Sequence, residues 1–210
     1  MTTGSRKPLF AIICLAPLVA ALLLPGVGVL VSLVIVAAAL WFIKETRDAT
    51  LPLVYRTILR SLLWGLAAGI LIQAALFFLI EPLIEQLTRS SISLENFAGV
   101  EGNLVNYLML LAVGLIFGGI LEELIFRGFV IGWGVQVFGE RSGLWLAILS
   151  AVVFGAAHLY QGIAGALTTG LTGLIFGLLY LYLDRKLLPV MVTHMTVNLI
   201  GITQIYLGFY

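Results

Sequence analysis

Apolar positions fall in long runs separated by short polar joints. The first run extends from Leu9 to Leu24 and resumes from Val27 to Ile43, with Pro25-Gly26 as the break. The pair far exceeds the apolar core of a cleaved signal peptide, roughly 7–15 residues, so Arg6 and Lys7 read as the flank of a membrane anchor. Composition leaves open whether residues 9–43 form two short spans or one kinked helix, since each half lies near the short limit of about 17 residues. Ser61–Ile80 reads as the next span, followed by a polar outer stretch, Glu81–Asn103, carrying Glu81, Glu85, Arg89, Glu95 and Glu101. Leu104–Phe138 is interrupted only by Glu122, Glu123 and Arg127. At about 1.5 Å per residue it is too long for one straight crossing, and a break or bend is expected at Gly128, Gly132 or Gly134. Gly143–Tyr160, Ala164–Leu183 and Leu187–Tyr210 complete an all-α bundle of seven predicted transmembrane spans.

Composition agrees: 61% of the 210 residues are hydrophobic and 10% charged, with a mean hydropathy of +1.15. So few charges cannot cover a water-exposed surface, which excludes a soluble globule and a disordered chain. The net charge of +1 provides no basic face, and no nucleic-acid partner is expected. Cys14 is the sole cysteine, so no intramolecular disulfide can form, and neither a CxxC motif nor a C-terminal prenylation box is present. Basic residues favour the cytoplasmic side. Seven spans with the N-terminus inside place Arg6, Lys7, Lys44, Arg47, Arg56, Arg60, Arg141, Arg185 and Lys186 there, Arg89 outside and Arg127 in the membrane. This bias favours two spans in 9–43 and an N-in, C-out topology. Residues 49–60 (ATLPLVYRTILR) are expected to lie in the interface as a helix with Arg56 and Arg60 one turn apart. Glycine pairs at four-residue spacing, Gly65/Gly69, Gly114/Gly118, Gly128/Gly132 and Gly173/Gly177, indicate close helix packing.

Charged groups at membrane depth are functional candidates by default. Three of the predicted spans each carry a polar cluster: Glu122, Glu123 and Arg127 on one, Phe154 and His158 on the second, His194 and Asn198 on the third. Glu123 and Arg127, at i and i+4, share a helical face and read first as a structural buried pair. Glu122 is turned about 100° away and has no cation one turn distant. His194 and Asn198 again share a face, and read evenly as interhelical glue or as two donors aimed at one point. Phe154, one turn before His158, reads as core that can pack beside the imidazole. A glutamate and a histidine on neighbouring helices can activate a water, while a second histidine and an amide can donate to a developing oxyanion. A proton- or ion-coupled transporter would also place Glu and His in its spans.

In order and residue by residue, the three clusters resemble the EExxxR, FxxxH and HxxxN motifs of the CPBP family. That family comprises the CAAX prenyl-protease type 2 enzymes and the bacteriocin-processing or immunity proteins, also called Abi proteins. The resemblance implies an intramembrane endopeptidase of glutamate type, acting on a membrane-associated peptide or protein. Glu122 and His158 would activate water, His194 and Asn198 would stabilise the oxyanion, and Glu123, Arg127 and Phe154 would support the site. No cofactor is implied. Two histidines and two glutamates could also hold zinc, but HExxH is lacking and zinc is the second choice. Residues 104–210 would form the catalytic membrane core. Residues 1–103 would supply further spans, the interfacial helix and the outer loop. The short chain, without soluble domains or organelle signals, looks like a multi-pass protein of a bacterial inner (plasma) membrane. A non-enzymatic immunity or scaffold protein keeping the same motifs is the alternative, and oligomeric state is left open. One conflict is built in: on straight helices spanning about 30 Å, Glu122 and His158 fall at depths roughly 18 Å apart.

Overall fold

The computed structural model describes residues 7–24 and 26–210. Arg6 of the basic flank and Pro25 of the first break lie outside the described residues. The fold is all-helical, with no strand among the described residues. Eight helices are used below: α1 (Lys7–Leu23), α2 (Gly28–Phe42), α3 (Lys44–Thr50), α4 (Ile58–Thr88), α5 (Leu104–Phe138), α6 (Gly143–Ala157), α7 (Gly162–Tyr182) and α8 (Leu187–Tyr206).

Five helical stretches are long and apolar enough to cross a membrane, those containing α4, α5, α6, α7 and α8; a sixth results if α2 and α3 count as one bent span. The protein is thus a multi-pass membrane protein. The seventh expected span corresponds to α1, which at 17 residues falls short of that length. Residues 9–43 form two helices. Gly26 turns the chain at φ +80°, and the Ser32 hydroxyl of α2 lies 2.8 Å from the Pro17 carbonyl of α1.

Helices α2 and α3 meet at 114°. Arg47 of α3 folds back to donate to Leu40 O and Trp41 O, at 2.6 and 2.9 Å. A cation thereby satisfies carbonyls that the end of α2 leaves unpaired. The expected interfacial helix over 49–60 does not form. Helix α3 ends at Thr50, residues 51–57 are non-helical, and α4 starts at Ile58. Pro52 disfavours helix at the residue before it. The freed backbone is used elsewhere: Pro52 O and Leu53 O accept from Leu187 N and Leu188 N, both at 3.0 Å, and satisfy orphan donors at the start of α8. Arg56 lies in this segment at φ 56°, so Arg56 and Arg60 do not share a helical face.

Two helices outrun the boundaries read from hydropathy. Helix α4 passes through a π-helical turn, Leu76–Ile80, and continues to Thr88, so Glu81 and Glu85 are helical and not part of a loop. The wide turn ends two residues before Pro82, which has no N–H to offer the carbonyl of Phe78 within that turn. Helix α5 runs unbroken for 35 residues, with π-helical stretches at Gly114–Glu122 and Leu124–Trp133. Its glycines do not break it. A Cβ at Gly128 would stand 2.9 Å from Thr50 O, and one at Gly132 2.9 Å from Ala49 O, so both positions admit the backbone of α3. Gly65 and Gly69 likewise admit α8 against α4, since their Cβ atoms would meet Val192 and Thr196 at 2.5 Å.

The depth conflict disappears when both helices are measured from the turn they share. Helices α5 and α6 meet at residues 139–142. Glu122 lies about 24 Å back from Phe138, and His158 about 22 Å on from Gly143, at 1.5 Å per residue. The two side chains are level because α5 is longer than a perpendicular crossing requires.

Candidate functional site

Helices α5, α6 and α8 each bring a polar side chain to one partly open cavity of about 390 Å³. Glu122, His158, His194 and Asn198 all line it, and so does Phe154. The four polar residues named from the sequence therefore share one space. Glu123 and Arg127 do not reach it; they lie behind it, with side chains 0% and 1% exposed.

Three of the four polar groups, His158, His194 and Asn198, are fixed by a hydrogen bond within the protein. His158 follows the last residue of α6, and its Nδ1 lies 2.7 Å from Phe154 O. A carbonyl only accepts, so Nδ1 carries a proton and the lone pair of a neutral ring sits on Nε2. His194 is oriented by Glu123, whose Oε1 is 2.7 Å from His194 Nδ1 and also 2.7 Å from Arg127 Nη1. Arg127 Nη2 donates to Gly173 O at 2.8 Å. Its guanidinium carbon lies 5.1 Å from the Phe154 ring centroid and 5.4 Å from that of Phe176, inside cation–π range. Phe154 is thus more than filler: it separates Arg127 from His158, whose ring centroid is 4.8 Å away. Asn198 Nδ2 donates to Gly114 O at 2.8 Å and retains a second N–H.

Sequence spacing anticipates the Glu123–Arg127 pair, but not the bond from Glu123 to His194, 71 residues away. It also reads Gly114/Gly118 as packing alone. A Cβ at Gly118 would lie 2.5 Å from Asn198 Nδ2 and 3.4 Å from His194 Nε2, so the missing side chain makes room for both groups. Further lining residues come from regions read as loop or plain span: Gln73 and Glu81 of α4, Tyr160 and Gln161 before α7, and Tyr210. Leu83, Ile84 and Leu87 continue an apolar pattern past Glu81, and that signal could have extended α4. Burial pushes the Tyr210 hydroxyl above its ordinary pKa, with the Glu81 carboxylate adding to the effect, so it remains a donor. Among the described residues, no three His, Cys, Asp or Glu side chains are grouped to hold a metal ion.

A cavity between apolar helices, its lining mostly apolar but including carboxylate, imidazole and amide groups, defines the chain as a multi-pass membrane protein with a polar cluster between its helices. Residues 104–200, just under half of the chain and the part that carries all three motifs, match the family described as type II CAAX prenyl endopeptidase, Rce1-like. This region thus resembles that family, as its motifs imply. No curated protein and no solved structure gives a match.

Proposed function

We propose that the protein is an intramembrane endopeptidase that hydrolyses a peptide bond with a water activated by Glu122 and His158. The observation that carries this reading is the meeting, in one cavity, of four polar side chains from three helices. Water attacks the scissile carbonyl carbon as Glu122 takes its proton. His158 Nε2 accepts the water's other hydrogen and fixes its direction. The carbonyl oxygen becomes an oxyanion facing Asn198 and His194. Collapse of the tetrahedral intermediate breaks the C–N bond, and Glu122 returns the proton to the departing nitrogen. No covalent enzyme intermediate forms, and the sequence of steps uses no metal.

The two oxyanion donors differ in kind. Asn198 has a free N–H in any state, because only one of its amide hydrogens is used on Gly114 O. His194 already directs Nδ1 at Glu123, so its Nε2 donates only from a doubly protonated ring. Glu123 is the fixed counter-charge for that form. Arg127 holds Glu123 in place and offsets its buried charge.

The test is reconstitution of wild type and Glu122→Gln in liposomes with a mixture of membrane peptides and a farnesylated CAAX peptide. Mass spectrometry would look for new peptide ends, with and without chelator. New ends from wild type alone, unchanged by chelator, are expected. Loss of cleavage with chelator would replace the mechanism with a zinc one, and equal cleavage by both proteins would remove Glu122 from the base role.

A further inference from the structure

The cavity extends well beyond the four polar side chains assigned to the reaction. His194 and Ile205 both line it from α8, and along one helix they stand about 16 Å apart. An extended peptide advances about 3.3 Å per residue, so the space beside α8 matches about five residues of substrate. Glu81 lies toward the Ile205 end, where its Oε1 faces the Tyr210 hydroxyl.

Glu81 has no adequate partner there. The Tyr210 contact is 3.4 Å, longer than the roughly 2.5–3.0 Å of a good O–H···O bond. No ion pair among the described residues involves Glu81, and the described cavity lining contains no lysine or arginine. Glu81 is half-buried where it lines the cavity, and a carboxylate partly withdrawn from water is disfavoured unless a cation or several donors meet it. The neighbouring groups suit a cation. Tyr210 supplies an aromatic ring, and Gln73, whose Nε2 donates to Gln204 at 2.8 Å, keeps its own carbonyl oxygen as an acceptor. The same lining gives no basic group to the free C-terminal carboxylate of a CAAX substrate.

We propose that Glu81 is a specificity residue that receives the lysine or arginine side chain of an extended membrane peptide, about five residues from the bond that is cut. The position relative to that bond rests on the hydrolase reading given above; recognition of the cation does not.

Binding separates the two. The full chain carrying Glu122→Gln, in nanodiscs, is titrated with apolar peptides in which one Lys, or Gln as control, is walked along the sequence. At one register the Lys peptide is expected to bind about tenfold tighter than its Gln twin, and adding Glu81→Gln should bring the ratio to about one. Adding Glu81→Asp instead should restore part of the preference, which a merely misfolded variant would not do. Equal binding of Lys and Gln peptides at every register, binding of neither, or a Lys preference that survives Glu81→Gln would each overturn the proposal. Lys-selective binding that depends on Glu81, with no cleavage of any of these peptides by wild type, would retain the recognition site and remove the hydrolase reading.

Discussion

Glu122 and Glu123 are adjacent in sequence, yet packing gives them opposite surroundings. Glu123 is fully buried and holds two nitrogens, one from Arg127 and one from His194. Glu122 is only partly buried, opens on the cavity and forms no ion pair among the described residues. The difference comes from helical geometry: successive side chains leave a helix in different directions, so one helix can present a carboxylate to the protein interior and its neighbour to a cavity. Both nitrogens meet the same oxygen of Glu123, so this carboxylate is committed as a counter-charge to two fixed groups and does not face the cavity. An unpaired carboxylate beside a histidine has capacity for a travelling proton.

Substitutions should break this comparison in a fixed order. Glu122→Gln is expected to lower kcat/KM by about 10²–10⁴-fold, the range for losing a general base, with the thermal unfolding midpoint unchanged. Arg127→Ala leaves Glu123 buried without its cation and should destabilise the protein by about 3–5 kcal/mol, read from denaturant or thermal unfolding in detergent. Asn198→Ala should lower kcat by about 10²–10³-fold with little change in KM, because an oxyanion donor acts in the transition state. Gly118→Ala brings a methyl group against Asn198 Nδ2 and His194 Nε2. It should reduce kcat by roughly tenfold, since displacing a catalytic group by about 1 Å is costly even where chemistry is untouched. An equal loss of kcat in Gly65→Ala, which crowds Val192 away from the cavity, would point to general loosening of the bundle instead.

Much of the molecule was legible because lipid imposes simple demands on sequence. Long apolar runs mark helices, and polar side chains inside them stand out; the four cavity residues and the Glu123–Arg127 pair were all visible this way. Helix ends were less legible. A hydropathy run stops at the first carboxylate, whereas the helix continues for as long as its backbone bonds can form, which is why Glu81 was read as loop. Residues 51–57 failed as a helix because Pro52 and the positive φ of Arg56 divert the chain, and its carbonyls are needed at the start of α8. The apparent mismatch in depth arose from counting α5 and α6 from opposite membrane faces. Their common turn is the better origin. The tie from Glu123 to His194 has no local spacing at all, and only the packing of α5 against α8 creates it.

The central claim is the division of labour between the two glutamates, and one paired measurement tests it most directly. Glu122→Gln and Glu123→Gln are reconstituted side by side with wild type, and each is scored for new peptide ends and for unfolding midpoint. The account predicts that Glu122→Gln loses cleavage at wild-type stability, while Glu123→Gln loses stability and cleavage together. Cleavage retained by Glu122→Gln, or a Glu123→Gln protein as stable as wild type that alone has lost cleavage, would contradict it.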